Sequence, residues 1–257
     1  MVPGMPRVLA DPRAEALDFV LIRESTEGLF VSRGKGKVEA DREATDTLKI
    51  TRPTSERLFD FAFRLARSRK RQGHPGRVTC VDKANVFASF AFFRKVFDER
   101  ARRNPDIEAN HVYVDAAALY MVQKPWIFDV AVTENMFGDI LSDLGAGLMG
   151  GMGYAPSADI GDTHAVFQPC HGTAPDIAGQ GKANPVATFL SGAMMLEWLG
   201  EKHGNESAIR AACLVREAVD SALHDGVRPF ETGGSDGTRE IARAVMARAA
   251  VARAELV

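Results

Sequence analysis

Near its middle the chain carries Thr133-Glu134-Asn135-Met136-Phe137-Gly138-Asp139-Ile140-Leu141-Ser142-Asp143. An apolar run, Ile127 to Val132, precedes it and predicts a buried strand, and the segment after Asn135 is predicted to be a helix. Residues four apart lie on one face of a helix, so Asp139 and Asp143 point the same way. Their charges repel, and a hard divalent cation with oxygen ligands would compensate them. The alternative is a pair of solvated aspartates on an outer face.

Two further segments place polar residues where a strand is predicted to end. Val78 to Asn85 and His111 to Ala116 are short β-rich runs that lead into helix-like patterns. Open α/β sheets bind ligands at the carboxyl ends of their strands. The sequence therefore predicts an α/β protein whose site includes Lys83, Asn85 and Asp115. For Lys83 the alternative is a simple ion pair with a nearby acid.

The bulk composition excludes several classes of function. The 257 residues are 46% hydrophobic and 26% charged, enough for a sizeable core in one or two domains. A net charge of −2 gives no reason to expect nucleic acid or a membrane as a partner. The basic run Arg67 to Arg71 is expected to be a solvated helix end. No apolar run is long enough to span a bilayer, and three widely spaced cysteines predict reduced thiols in a cytoplasmic protein.

Taken together, these motifs resemble those of the metal-dependent β-decarboxylating dehydrogenases, the isocitrate/isopropylmalate dehydrogenase family. They occur in family order and cover most of the chain. The matching motifs are Arg23 to Gly28 (R-E-S-T-E-G), Asp82 to Asn85 (D-K-A-N), Val114 to Ala116 (V-D-A), Thr133 to Asp143, and His171 to Gly179 (H-G-T-A-P-D-I-A-G).

The resemblance implies the two-domain α/β fold of isopropylmalate and isocitrate dehydrogenases. Residues 1–150 would form the substrate, metal and dimerisation domain, and residues 151–257 the C-terminal part of the nucleotide-binding domain. The family has an N-terminal region ahead of the strand predicted from Leu17 to Ile22. The chain is therefore expected to be a fragment, or a gene model begun at a late methionine, that lacks the N-terminal part of the nucleotide domain.

The resemblance also implies the chemistry. A 3-substituted malate of the 3-isopropylmalate or isocitrate type would be oxidised by NAD and would then lose its β-carboxyl group. Lys83 would act as the catalytic base, and Arg23 would bind a substrate carboxylate. Mg²⁺ or Mn²⁺ would bind Asp115, Asp139 and Asp143. In the family the lysine and the first aspartate reach into the partner's site, which implies a homodimer with shared active sites.

The predicted nucleotide loop follows a strand expected from His164 to Pro169. By resemblance Asp176 accepts hydrogen bonds from the ribose hydroxyls, which favours NAD over NADP because a carboxylate repels a 2′-phosphate. Asn184 matches an adenine-contacting residue, and Asn85 matches a residue near the nicotinamide. The residues implied to wrap the adenosine are His171, Gly172, Thr173, Ala174, Pro175 and Asp176.

A second glycine-rich stretch, Gly145 to Gly150, literally fits the G-x-G-x-x-G dinucleotide fingerprint. That fingerprint needs a strand before it and a helix opening after it, whereas here a helix is predicted to precede it. We therefore reject the fingerprint and expect these glycines to permit close backbone packing.

Phe30 departs from the family pattern, which usually has at this position a tyrosine that donates a proton in the last step. Phenylalanine has no proton to give. Two further hypotheses therefore stay open, a non-catalytic subunit that pairs with a complete homologue and an inactive truncated fragment. A tartrate or D-malate dehydrogenase of the same family is another alternative, since the residues that select the substrate belong to the family's N-terminal region.

Overall fold

The computed structural model describes residues 8–255, which fall into two units. The N-terminal unit is residues 11–145, and the C-terminal unit is formed mainly by residues 146–255. The assignment of a substrate domain to 1–150 and a nucleotide domain to 151–257 stays a prediction. Residues 1–7, 256 and 257 of those ranges lie outside the described part of the chain.

The N-terminal unit alternates strands and helices, as the sequence predicts. Its elements are β1 (Val20–Arg23), β2 (Lys37–Glu39), β3 (Glu43–Thr45), α1 (Arg52–Arg71), β4 (Arg77–Asp82), α2 (Ala88–Ala101), β5 (Glu108–Tyr113), α3 (Val114–Gln123), β6 (Val130–Thr133) and α4 (Asn135–Met149). Helix α4 runs a few residues past the limit of this unit.

Four of these strands form one parallel sheet in the order β1-β6-β4-β5. Thr133 lies between Arg23 and Val81 in the register, and Asp82 lies opposite Tyr113. The carboxyl ends of the four strands therefore meet at one edge of the sheet. Every segment predicted to carry a site residue in this unit begins at that edge.

The core of this unit lies between the sheet and helices α1 and α2. Phe59 and Phe63 on α1 interlock with Phe93 and Phe97 on α2, with ring centroids 4.6 to 5.7 Å apart. All four rings are buried. Strands β4 and β6 are central and almost fully buried, which explains their continuous apolar runs.

Several predicted boundaries move by a few residues. Strand β6 begins at Val130 rather than Ile127 because Pro125–Ile127 forms a 3₁₀ turn. Strand β1 begins at Val20 rather than Leu17, and Arg23 is its last residue. Asp115 does not end a strand, because β5 stops at Tyr113 and Asp115 lies in the first turn of α3.

One residue of the basic run is buried, so the prediction of a wholly solvated helix end is wrong. Arg69 donates to Asp129 Oδ1 (2.6 Å) and to the backbone oxygen of Asp18 (2.9 Å). Asp129 is fully buried, and its other oxygen accepts the backbone N–H groups of Gly76 and Arg77. A buried carboxylate needs this number of partners, which explains why Arg69 is drawn inwards.

The glycines of the rejected fingerprint lie inside α4 and after its end. Apart from the adjacent residues and the backbone of α4 itself, a Cβ on Gly145 would find its nearest neighbour at 3.8 Å, and one on Gly147 would meet no atom of the described residues within 4 Å. The two glycines lie on either side of the division between the units, and the prediction that they permit close packing at a domain junction stays a prediction. The helix before them confirms that the stretch is no dinucleotide fingerprint.

Strands β2 and β3 form an exposed antiparallel hairpin. Its turn places Ala40 and Asp41 at φ 50° and 56°, and Arg42 N–H bonds to Glu39 O. Two consecutive residues with positive φ define a type I′ turn, which usually contains glycine or asparagine. Because the two turn residues are alanine and aspartate, the local sequence carries no glycine or asparagine signal for this hairpin.

The C-terminal unit packs three helices with a two-stranded antiparallel sheet. Its elements are β7 (Pro156–Ile160), β8 (Ala165–Pro169), α5 (Val186–His203), α6 (Glu206–His224) and α7 (Thr238–Glu255). Tyr154, Leu223 and Ile241 are fully buried in its core. Across residues 8–255, no helix is both long enough and apolar enough to cross a membrane.

Candidate active site

Arg23 lies over the first turns of α4. Its Nε donates to Asn135 Oδ1 (2.9 Å), and its guanidinium forms an ion pair with Asp139 and lies 5.6 Å from the Phe30 ring. A Cβ on Gly138 would come within 2.6 Å of the Arg23 side chain. Only glycine permits this approach, which explains the glycine in the motif. Arg23 thus supplies, from within the same chain, a positive charge that offsets the charge of Asp139.

The loop after β1 is tied to α4 by a second contact. Asn135 Nδ2 donates to the backbone oxygen of Glu27 (2.9 Å). The Glu24 carboxylate accepts the N–H groups of Thr26 and Glu27 and thereby folds the loop on itself. Asn135 therefore fixes both Arg23 and the loop that follows it.

Lys83 and Asp115 lie together at the other side of the same sheet edge. Lys83 Nζ is 2.7 Å from Asp115 Oδ1, with the lysine side chain mostly buried and the aspartate side chain 68% exposed. The hydrogen bond from Lys83 holds the pKa of the Asp115 carboxyl below its ordinary value. The ion pair expected as the simple alternative for Lys83 is thus present, with Asp115 as its acid.

The turn that carries Lys83 and Asn85 is stabilised by the buried Asp82, which precedes it. Asp82 is fully buried and takes two 2.7 Å hydrogen bonds from Arg94. Its Oδ1 also accepts the N–H of Ala84 (2.8 Å), which sets the turn. Asn85 is exposed at the tip of that turn.

The three predicted metal ligands divide into two places. Asp139 and Asp143 are exposed one turn apart on α4, whereas Asp115 is paired with Lys83. Within the part of the chain that the structure describes, no three His, Cys, Asp or Glu side chains are grouped to hold a metal ion. The donor set of oxygens suits Mg²⁺ or Mn²⁺. One copy of the chain therefore offers two ligands together and the third apart.

The predicted adenosine loop lies in the C-terminal unit and follows β8. Ala174 adopts the left-handed conformation (φ 44°) and leads into a 3₁₀ turn, Pro175–Ile177. His171 Nδ1 lies 2.8 Å from Gly172 O, and the backbone oxygen of Asp176 accepts a bond from Gln180. The side chains from Thr173 to Asp176 are exposed, so the Asp176 carboxylate is open to a ligand.

Asn184 is buried beside this loop with its amide committed inside the unit. Its Oδ1 accepts Val186 N–H, and its Nδ2 donates to Glu231 Oε2; both distances are 3.1 Å. Glu231 also accepts the N–H of Gly153 (3.0 Å). The structure thus does not bring a free Asn184 amide to the surface, and a contact with adenine stays a prediction.

Sequence reasoning missed three contributors to these arrangements, Asn135, Arg94 and Glu231. Asn135 had a signal, since it begins a helix directly after a buried strand. Arg94 and Glu231 are charged residues in ordinary helical or loop surroundings, and only the fold brings them to Asp82 and Asn184.

Comparison with known proteins agrees with this geometry. A family model described as isocitrate/isopropylmalate dehydrogenase matches residues 4–245. The chain belongs to this family. Family membership confirms the predicted resemblance and, with the parallel sheet, the α/β fold.

Relatives of the isocitrate/isopropylmalate dehydrogenase family are similar over most of the chain. The 3-isopropylmalate/3-methylmalate dehydrogenase of Methanocaldococcus jannaschii is 47% identical over 235 residues, 90% of this chain and 67% of that protein. The 3-isopropylmalate dehydrogenase of Bacillus thuringiensis subsp. konkukian is 43% identical over 91% of this chain and 63% of that protein. The crystal structure of isocitrate dehydrogenase from Methylococcus capsulatus matches with a TM-score of 0.84 at 38% identity. The match covers 96% of this chain and 70% of that one. The chain spans about two thirds of the length of the curated relatives it matches.

Proposed function

We propose that this chain is an NAD- and Mg²⁺- or Mn²⁺-dependent dehydrogenase that oxidises and decarboxylates a 3-substituted malate of the 3-isopropylmalate or isocitrate type. The observation that supports this most is the shared sheet edge, to which each of the four strands contributes one residue. Arg23 ends β1, and Lys83 follows β4. Asp115 and Asp139 lie in the helices that follow β5 and β6. The names of the relatives favour the same reaction class.

The residues of the chain divide the work by their chemistry. Arg23 offers a planar fork to a substrate carboxylate, and Asn135 holds that fork in place. Lys83 takes the proton from the substrate hydroxyl. When bound, the metal ion would supply Lewis-acid polarisation and NAD would supply the hydride acceptor. Asp176, exposed on its loop, favours NAD over NADP.

We further propose a homodimer with shared sites, acting in the cytoplasm on a small hydroxy acid. Asp115 stands apart from Asp139 and Asp143, so a second copy is the natural source of the third ligand. Exposed apolar side chains lie on the helices that carry these carboxylates and on the segment after Lys83, and a second copy would cover them. They are Val86, Phe87, Leu119, Val122 and Ile140.

The metal assignment predicts a loss of affinity when one carboxylate is neutralised. Asp139→Asn should weaken Mn²⁺ binding at least about tenfold, because a charged ligand is removed. Asp143→Asn should do the same, and it leaves the Arg23 ion pair intact. Calorimetric titration measures both, with Asp106→Asn, a carboxylate paired to Arg67 away from this edge, as the control. Equal affinities in all four proteins would overturn the assignment.

Phe30 favours a second candidate function, the non-catalytic subunit. The ring is 44% exposed and lies beside Arg23, where the proton donor of the last step is expected. A positioned general acid contributes about 10²–10⁴ in rate.

Phe30→Tyr should therefore raise steady-state NADH formation from 3-isopropylmalate with Mn²⁺ at least about tenfold, below that range because water or Lys83 partly substitutes. Phe230→Tyr, at a phenylalanine of similar exposure (42%) in the C-terminal unit, is the matched control and should change nothing. A fast wild type that is unaffected by Phe30→Tyr would mean that another group donates the proton. No NADH from either protein, together with tight binding to a family homologue, would establish the subunit hypothesis.

A further inference from the structure

Glu134 is a buried carboxyl group with one unsatisfied oxygen. It lies between β6 and α4 and is 2% exposed. Its Oε1 accepts the N–H of Phe137 (2.8 Å) and so caps the first turn of α4. Its Oε2 is buried and has no hydrogen-bond partner among residues 8–255.

The loop after β1 is packed directly against that unsatisfied oxygen. Gly28 has φ 75°, and a methyl group in place of its hydrogen would overlap Glu134 Oε2. The same methyl would meet Asn135 Cβ at 3.0 Å. Glycine is required here for its backbone conformation and for this close approach. The loop therefore packs directly against the Glu134 carboxyl group at Gly28.

The charged groups around Glu134 only partly compensate a negative charge on it. Glu24, on the loop, is itself a carboxylate, and Arg23 is committed to Asn135 and Asp139. A buried carboxylate with one oxygen unsatisfied is costly, so this packing favours the uncharged acid. Burial raises the pKa of Glu134, and the Glu24 charge raises it further, while backbone N–H groups and Arg23 oppose the shift.

We propose that Glu134 is a positioning residue whose uncharged carboxyl docks the Arg23–Gly28 loop on the start of α4, and whose ionisation loosens this docking. The docking stands on the contacts described above. Its consequence for substrate binding rests on the proposed function, because it acts through Arg23.

The direction of the pH dependence follows from the raised pKa. The uncharged Glu134 carboxyl contributes its full stability at pH values below the ordinary glutamate pKa, near 4.5. That stability is lost as the pH rises through the raised pKa of the folded state. Between those two values, opening of the loop becomes easier by up to about tenfold per pH unit.

Hydrogen exchange of the amides of residues 24–28, corrected for intrinsic rates, tests the proposal in the chain as it exists. In the wild type, protection should fall with rising pH above about 4.5. In Glu134→Gln, which keeps the capping oxygen and carries no charge, protection should stay constant with pH. Glu24→Gln is the matched control. The Glu24 carboxylate accepts three hydrogen bonds, so the amides of the loop should lose protection when one of its oxygens becomes an NH₂ group.

Two outcomes would overturn the proposal. One is an equal pH dependence in the wild type and in Glu134→Gln. The other is a Glu134→Gln protein as poorly protected as Glu134→Ala at every pH, which would reduce the residue to a helix cap. If the exchange results are as expected but 3-isopropylmalate binding does not follow loop docking, the docking stands and the assignment of Arg23 to substrate is what fails.

Discussion

Arg94→Met is expected to lower the free energy of unfolding by about 3–5 kcal/mol, because it leaves a fully buried carboxylate without its partner. Asp82 accepts both hydrogen bonds of the Arg94 fork and orders the turn that carries Lys83. Losing Arg94 forces Asp82 to take up a proton or to draw in water, and either change loosens that turn.

Urea unfolding of the two proteins measures this effect. Glu99→Gln on the same helix is the control, because its pair with Arg52 is about one-third exposed and solvent screening should leave its contribution to stability small. The double variant Asp82→Asn with Arg94→Met should be less destabilised than Arg94→Met alone, since no buried charge remains. Similar small losses for Arg94→Met and Glu99→Gln would show that Asp82 is solvated.

Gly138→Ala is expected to destabilise the N-terminal unit by about 1–3 kcal/mol despite the better helix propensity of alanine. The new methyl would lie 2.6 Å from both Cβ and Cγ of Arg23 and 3.1 Å from its Cα. Backbone cannot yield as a flexible side chain can, so Arg23 would be displaced from Asn135 and Asp139. Weaker substrate binding should accompany the loss of stability.

Gly147→Ala provides the opposite expectation within the same helix. A methyl there meets no described atom within 4 Å outside the adjacent residues and the backbone of α4, and the position is helical. Alanine should therefore stabilise by about 0.5–1 kcal/mol. Thermal unfolding of the two variants tests both signs. Equal shifts of Tm in the same direction would mean that helix propensity, and not contact with Arg23, decides the outcome at Gly138.

Local sequence was sufficient for the strands of the parallel sheet, for the helices that follow them and for the edge at which the site forms. Apolar runs predicted β4 and β6 because central parallel strands are buried on both faces. The helix after Asn135 was predicted because its pattern and its polar start are properties of neighbouring residues. The predicted boundaries of strands were wrong where the chain forms a turn instead, as at Pro125–Ile127 before β6.

Which side chains meet was decided by the fold. Arg23 and Asp139 are 116 positions apart, and they meet because β1 and β6 are neighbours in the sheet. Lys83 meets Asp115 because β4 and β5 are neighbours. The order β1-β6-β4-β5 follows from how helices cover the sheet, which no local pattern reports.

The sequence by itself determined the α/β class, the family motifs and the residue types at the strand ends, since these depend on composition and spacing along the chain. Only the tertiary structure decided that Arg69 is buried, that Arg23 offsets the Asp139 charge and that Glu134 keeps an unsatisfied oxygen. Burial and charge compensation are properties of a three-dimensional neighbourhood, in which a carboxylate finds or lacks a partner far from it in sequence.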